Sequence, residues 1–166
     1  MKEGDVVVDL GAAPGGWLQV SKQVIGEEGF ILGVDILPIL AIDGIVTIER
    51  DITSTATADE ILKILPRKAD LVLTDCSPKV SGTWDVDHAR QVHLVEASLR
   101  IAGRVLRIGG HLIAKAFQGR LFKELFSKVE NMFRNVYIAK PEASRKRSAE
   151  VYIVAKDFQG KYMKGS

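Results

Sequence analysis

Cysteine is almost missing from this chain. A single residue, Cys76, excludes an internal disulfide framework and any multi-cysteine zinc site. No apolar run approaches the roughly 18 residues of a membrane span. The opening residues, Met1 to Asp5, carry no secretory apolar region. Internal repeats, low-complexity stretches and linkers are also absent, and the net charge is only +2. With these classes removed, the chain reads as cytosolic and without a membrane partner. What remains is ordinary globular material: 46% hydrophobic and 27% charged residues, which excludes gross disorder. A length of 166 residues favours one domain, residues 1–166, able to bury about two thirds of its unfolded surface.

The small net charge hides an uneven distribution. From Arg134 to Ser166, eight basic residues face three acidic ones, so this end carries +5 and residues 1–133 carry −3. A basic end on a neutral body suits a polyanionic partner or a solvated tail; charge alone does not choose.

Strand and helix patterns alternate. Val6 to Leu10 is an apolar run stopped by glycine, and Gly16 to about Ile25 carries a helical stripe of Leu18, Val20 or Ser21, and Val24 or Ile25. Phe30 to Asp35 and Gly44 to Ile48 read as strands two and three. Thr57 and Glu60 have capping-box spacing, which predicts a helix with Thr57 as N-cap, closed by Pro66. Asp70 to Thr74 is the fourth strand. Val92, Val95, Leu99, Ala102 and Leu106 share one face of a long helix, with Gly109-Gly110 as its expected terminator. His111 to Ala114, then a helix marked by Leu121, Phe122, Leu125, Phe126 and Val129, then Val136 to Ala139 and Val151 to Ala155 complete the order.

Alternation predicts a doubly wound α/β fold, its mainly parallel sheet covered on both faces. The last two strands are separated by only about 10 residues, too few for a crossover helix, so they should pair antiparallel. Ligands of such sheets sit at the carboxyl ends of the strands.

The first strand runs into Asp9-Leu10-Gly11-Ala12-Ala13-Pro14-Gly15-Gly16-Trp17. Small residues here allow close approach of a ligand to the backbone. A dinucleotide fingerprint fails because Ala13 stands where G-x-G-x-x-G needs glycine. A phosphate-binding P-loop fails because Trp17-Leu18 follow Gly16 instead of Lys-Ser/Thr. Asp35, Asp51 and Asp75 end or follow strands two, three and four. Together they would line one crevice, with Asp35 placed for ribose hydroxyls and Asp51 for an adenine edge.

These features together resemble the FtsJ/RrmJ family of RNA ribose 2′-O-methyltransferases, over nearly the whole chain. The Asp9–Trp17 segment looks like that family's S-adenosylmethionine loop. Asp75-Cys76-Ser77-Pro78-Lys79-Val80-Ser81-Gly82 looks like its acidic motif, with Cys76 in place of a more usual small or apolar residue. Lys115-Ala116-Phe117-Gln118-Gly119 resembles its lysine motif. Lys140 to Tyr152 resembles its C-terminal signature. The resemblance implies a Rossmann-like methyltransferase fold with a seven-stranded sheet and one antiparallel strand near the C-terminus. It implies S-adenosylmethionine as cofactor, held by Asp9, Gly11, Ala12, Pro14, Gly15, Gly16, Trp17, Asp35, Ile36, Asp51, Ile52 and Asp75. Of the family's Lys-Asp-Lys-Glu tetrad it carries over Asp75, Lys115 and Glu150. The first lysine lies in the family ahead of the first strand. This sequence begins at that strand, and Lys2 is in another motif context. The chain is then a fragment or shortened form, or works with three of the four.

The three can also be brought together by topology. Asp75 and Lys115 follow parallel strands, and Glu150 precedes a strand that, if antiparallel beside the fifth, starts at the same edge. Methyl transfer to a hydroxyl is an in-line displacement in which positioning matters and the hydroxyl must lose a proton. Lys115 is the candidate base or orienting donor. Two flanking carboxylates oppose its deprotonation, so it should stay mostly protonated near neutral pH.

RNA contacts are expected from Lys79, Arg120, Lys123 and the Arg145-Lys146-Arg147 run beside Glu150. Phe117 offers base stacking or packing, and Trp84 a cap over the site or cover for apolar surface. Trp17 reads as helix-packing core, and Ser77 and Ser81 as loop hydrogen-bonders. Cys76 has no evident activating partner. His88, His93 and His111 are scattered and point to no metal. The resemblance favours large-subunit ribosomal RNA, with uridine 2′-O-methylation, or a ribosomal particle; transfer RNA comes second. Rival readings are a cofactor-binding but catalytically weak module and an NAD-dependent oxidoreductase. A monomer is expected.

Overall fold

In a computed structural model, which describes residues 1–140 and 148–161, seven strands form one sheet. The elements run β1 (Val6–Leu10), α1 (Gly16–Ile25), β2 (Phe30–Asp35), β3 (Val46–Glu49), α2 (Thr57–Ile64) and β4 (Ala69–Thr74). They continue with α3 (Trp84–Val105), β5 (Leu106–Phe117), α4 (Phe122–Met132), β6 (Phe133–Ala139) and β7 (Glu150–Phe158). Strand order is β3-β2-β1-β4-β5-β7-β6, and β7 alone runs antiparallel, to both β5 and β6. The expected architecture is therefore present, down to the single antiparallel strand.

β1 and β4 are buried along their whole lengths, as central parallel strands must be, and this is why they read as continuous apolar runs. The larger core packs α2, α3 and α4 on one face through Ile61, Val92, Val95, Leu99, Leu125 and Val129. The other face carries α1, with Leu18 and Ile25 against Val7, Ile31, Leu71 and Leu73. The α1 stripe resolves to Leu18, Ser21 and Ile25, while Val20 and Val24 face solvent. Coverage of the sheet is unequal. On the α1 side, among the described residues, β5, β7 and β6 carry no helix, and Tyr152 and Val154 are half-buried there.

Four expectations need correction. Thr57 is not an N-cap: it lies inside α2, buried, and its hydroxyl donates to the Asp51 carbonyl (2.6 Å), while Ala56 caps without a side chain. Glu60 pairs instead with Arg50. The long helix does not reach Gly109-Gly110. It ends at Val105, and Leu106 opens β5. The glycine pair makes a bulge inside that strand, where Gly109 takes φ +76° and the β4–β5 register slips between Ala69 and Leu71. Strand three starts later than Gly44, at Val46, and β5, β6 and β7 extend beyond the apolar runs that announce them.

Candidate active site

At the carboxyl ends of β1 to β5 lies a cleft of about 830 Å³. It opens where β1 and β4, neighbours in the sheet, send their connections to opposite faces, the switch point at which such folds take ligands. Gly11 and Ala13 form its floor, Asp35 to Leu37 and Arg50 to Thr53 one side, and Asp75 to Lys79 the other. Ala89, Arg90, His93 and Leu94 of α3 close it from above, and Lys115 stands at its end.

The glycine-rich loop is held by backbone bonds. The N–H groups of Gly11 and Ala12 donate to the Val34 carbonyl (2.8 and 3.2 Å). Gly11 has φ +76°, and a Cβ there would stand 2.6 Å from the Cys76 sulfur, so the position requires glycine twice over. Asp35 then clamps two loops at once: Oδ2 accepts the Ala13 N–H and Oδ1 the Leu37 N–H, both at 2.9 Å. Asp51 accepts the Thr53 N–H (2.8 Å) and hydroxyl (2.7 Å), both on Oδ1. These bonds hold its carboxyl below the usual range.

Beneath this rim sits Asp9, only 1% exposed, and among the described residues neither of its oxygens has a hydrogen-bond partner. Burial pushes its carboxyl up to about 8, and the charges of Asp75 and Asp35 add to the effect. Cys76 lies beside it, its thiol donating to the Leu10 carbonyl (3.2 Å) and pushed up to about 11 by burial, which makes it inert.

Asp75 and Lys115 meet at the far end. Lys115 Nζ lies 2.7 Å from Asp75 Oδ1, with the lysine side chain 10% exposed and the aspartate 33%. Lys115 faces Tyr152 across the β5–β7 ladder, and Glu150 faces Phe117, one step nearer the strand end. Directly paired residues share a sheet face, so Lys115, Phe117, Glu150 and Tyr152 all lie on the side that α1 leaves partly open. Tyr152 is raised above the usual phenol range by burial, then by Asp75 and Glu150, so its hydroxyl keeps its proton at neutral pH. Its ring leans on Trp17, 5.8 Å away.

The position of Lys115 depends on a residue that sequence reasoning passes over. The β4–β5 ladder ends at Thr74–Ala114, because β4 turns away to build the acidic loop. The Lys115 carbonyl and the Phe117 N–H then need partners on that side. Gln91 of α3, wholly buried, supplies both: its Nε2 donates to the Lys115 carbonyl (2.7 Å) and its Oε1 accepts the Phe117 N–H (3.1 Å). One side-chain amide replaces the missing peptide of β4.

A family model of FtsJ-like methyltransferases matches residues 1–158. The chain belongs to the FtsJ-like methyltransferase family. A Methanocaldococcus jannaschii protein named ribosomal RNA large subunit methyltransferase E is 43% identical over 97% of this chain and 68% of its own length. A Methanothrix thermoacetophila protein of the same name is 48% identical over 94% of this chain and 60% of its own. The chain thus spans roughly two thirds of these curated relatives. Among solved structures, a Plasmodium falciparum protein described as a ribosomal RNA methyltransferase matches with a TM-score of 0.84 at 25% identity, covering 96% of this chain and 90% of that one. Aeropyrum pernix fibrillarin, crystallised with natively bound S-adenosylmethionine, shares the fold at 17% identity, with a TM-score of 0.63 over 93% of this chain and 67% of its own.

Of the residues that the resemblance assigns to the cofactor, Gly11, Asp35, Ile36, Asp51, Ile52 and Asp75 line the cleft. Ala12 packs in the core under the loop, and Asp9 lies beneath the surface. Pro14 and Gly16 are exposed, Gly15 is buried, and Trp17 is half-buried against the α1-side core; none of the four lines the cleft. Lys79 lines the mouth, and Arg120 and Lys123 are exposed nearby in sequence to Phe117. Arg145, Lys146 and Arg147 lie outside the described residues. Ser81 is a loop hydrogen-bonder: its N–H and hydroxyl donate to Asp87 Oδ1 (2.8 and 2.7 Å). Arg90 and His93 were given no role by sequence, yet both face the cleft; their spacing of three on α3 puts them beside the apolar stripe of Val92, Val95 and Leu99.

Proposed function

We propose that this chain transfers a methyl group from S-adenosylmethionine to a ribose 2′-hydroxyl of large-subunit ribosomal RNA, at a uridine, as one cytoplasmic catalytic domain. The observation that carries this reading is the Lys115–Asp75 ion pair between a cofactor-sized cleft and an open sheet face. The names of the relatives support ribosomal RNA.

The cleft residues fit the cofactor. Asp9, buried near Asp35 and Asp75 and without a hydrogen-bond partner among the described residues, suits a ligand carrying positive charge, and Gly11 admits a ligand close to the backbone. Asp35 and Asp51 each keep acceptor capacity for ribose hydroxyls and an adenine amino group. When bound, the cofactor supplies an electrophilic methyl group on a sulfonium.

The chain's own residues do the rest. The Lys115 ammonium donates to the attacking oxygen and holds it in line. Asp75 holds the ammonium by charge, its Oδ1 2.7 Å from Nζ, and offers Oδ2 to the proton that the hydroxyl must lose. Tyr152, protonated at neutral pH, is a second donor opposite Lys115. Glu150, exposed at the strand start, adds negative charge on the same face.

Transfer of a labelled methyl group to deproteinised large-subunit ribosomal RNA, and separately to transfer RNA, tests the reading. Lys115→Ala should lower turnover by about 100-fold or more while S-adenosylhomocysteine affinity stays within a few-fold. The product should resist alkaline cleavage at the methylated nucleotide, because a blocked 2′-oxygen cannot attack its phosphate. Label in an alkali-labile position would overturn the ribose assignment. Undiminished transfer by Lys115→Ala would overturn the role of the pair.

A further inference from the structure

We propose that Trp84 and Phe117 form a stacking shelf for the base of the target nucleotide, so that the substrate is an unpaired, splayed-out nucleotide of single-stranded RNA. This rests on the reading that an RNA ribose reaches Lys115.

Trp84 opens α3 and keeps half its surface in solvent. Its indole lies 6.0 Å from the Phe117 ring at 23°, and 5.8 Å from the His88 ring at 9°, so the three planes are close to parallel. The group is built to stay put. His88 is 2% exposed, its Nε2 accepts the Leu121 N–H (3.1 Å), and burial holds it below the usual imidazole range, so it serves as a neutral plate. Phe117 is tied through its N–H to Gln91. The loop before Trp84 is pinned by Asp87, which accepts the Ser81 and Gly82 N–H groups. A preorganised aromatic surface binds with little ordering cost.

Its place relative to the chemistry is specific. Phe117 lies two residues beyond Lys115 on the same face of β5, a step of roughly 7 Å along a strand. A nucleotide has dimensions of the same order, so a base whose ribose reaches Lys115 can meet the Phe117 ring. Lys79 at the cleft mouth and Arg120, whose charge is felt by His88, supply cations for the flanking phosphates. An indole can stack only on a base face that is free, and a base inside a duplex has none. Stacking is tolerant of base identity, so the shelf selects an unpaired nucleotide and leaves the choice of base to other contacts.

Two measurements test this. In a Trp17→Phe chain Trp84 is the sole indole, and single-stranded oligouridylate should quench its emission. The same oligonucleotide annealed to oligoadenylate should leave it unchanged. Equal quenching by both, or none by the single strand, overturns the shelf whether or not the chain is active. In the methyl-transfer assay on deproteinised large-subunit ribosomal RNA, Trp84→Ala should raise the RNA KM about 5- to 150-fold, the stacking range for one base. Trp84→Phe should recover most of it, and S-adenosylhomocysteine affinity should not move. A wild-type chain that quenches with single strands but methylates no RNA sinks the methyltransferase reading and leaves the stacking surface standing. A wild-type chain that methylates RNA, with Trp84→Ala at an unchanged KM, sinks the shelf alone.

Discussion

Replacing Gln91 with leucine should unfasten the end of β5 without filling or emptying much space. Leucine is nearly the volume of glutamine, so packing in this fully buried position changes little. Two hydrogen bonds disappear: 2.7 Å to the Lys115 carbonyl and 3.1 Å from the Phe117 N–H. Each stranded buried group costs about 1–3 kcal/mol. The carbonyl belongs to a buried residue and falls in the upper part of that range; Phe117 is half-buried, and water softens its loss. The sum is about 2–4 kcal/mol, a large share of the roughly 5–15 kcal/mol that holds a domain together, and enough to lower Tm by roughly 4–16 °C. Urea unfolding at 25 °C should show a lower midpoint with an unchanged slope. Amide exchange should localise the damage, with the Phe117 amide losing more protection than the Val72 amide inside β4. A change below about 0.5 kcal/mol together with an equally protected Phe117 amide would refute the clamp. Activity should fall as well, since Lys115 is carried by the backbone that Gln91 holds.

Two further outcomes follow from the glycine loop and from the buried acid below it. Gly11→Ala combines a positive φ of +76° with a Cβ placed 2.6 Å from the Cys76 sulfur and 3.0 Å from that residue's Cα and N, so urea midpoints should show a loss of about 2–5 kcal/mol. Cys76→Ala in the same chain should recover less than half, because the backbone contacts remain. Asp9 has a folded-state carboxyl raised to about 8, so its contribution to stability is whole below pH 4 and is lost as pH rises through 8. Unfolding free energy of the ligand-free chain should therefore decline across that window by up to about 1.4 kcal/mol per pH unit, and Asp9→Asn should flatten the decline. Parallel profiles for the two chains would refute a raised Asp9.

Much of the site was legible because strand ends in a parallel sheet are legible. Asp35, Asp51 and Asp75 each end or follow an apolar run, and parallel strands bring their carboxyl ends to one edge, so one crevice was deducible from order alone. The same rule brought Lys115 to Asp75. The ten-residue gap before the last strand required an antiparallel partner, which put Glu150 at that edge too. The misreadings have local causes. Thr57 has cap spacing, but it is buried and the carbonyl of Asp51 lay within reach of its hydroxyl. Gly109-Gly110 has the chemistry of a helix stop and equally of a strand bulge, and Leu106 continues the helical period by accident one residue after α3 ends.

The amino-acid sequence by itself determined the order of strands and helices, the edge at which ligands sit and the charged groups available there, because those follow from periodicity and chain direction, which are local. Only the tertiary structure decided that Gln91 completes β5 and that Tyr152 sits opposite Lys115. It alone showed that Trp84 rests on Phe117 and that Asp9 is buried with no hydrogen-bond partner among the described residues. These depend on which side chains from distant segments meet, and on what water is excluded when they do. Periodicity carries neither.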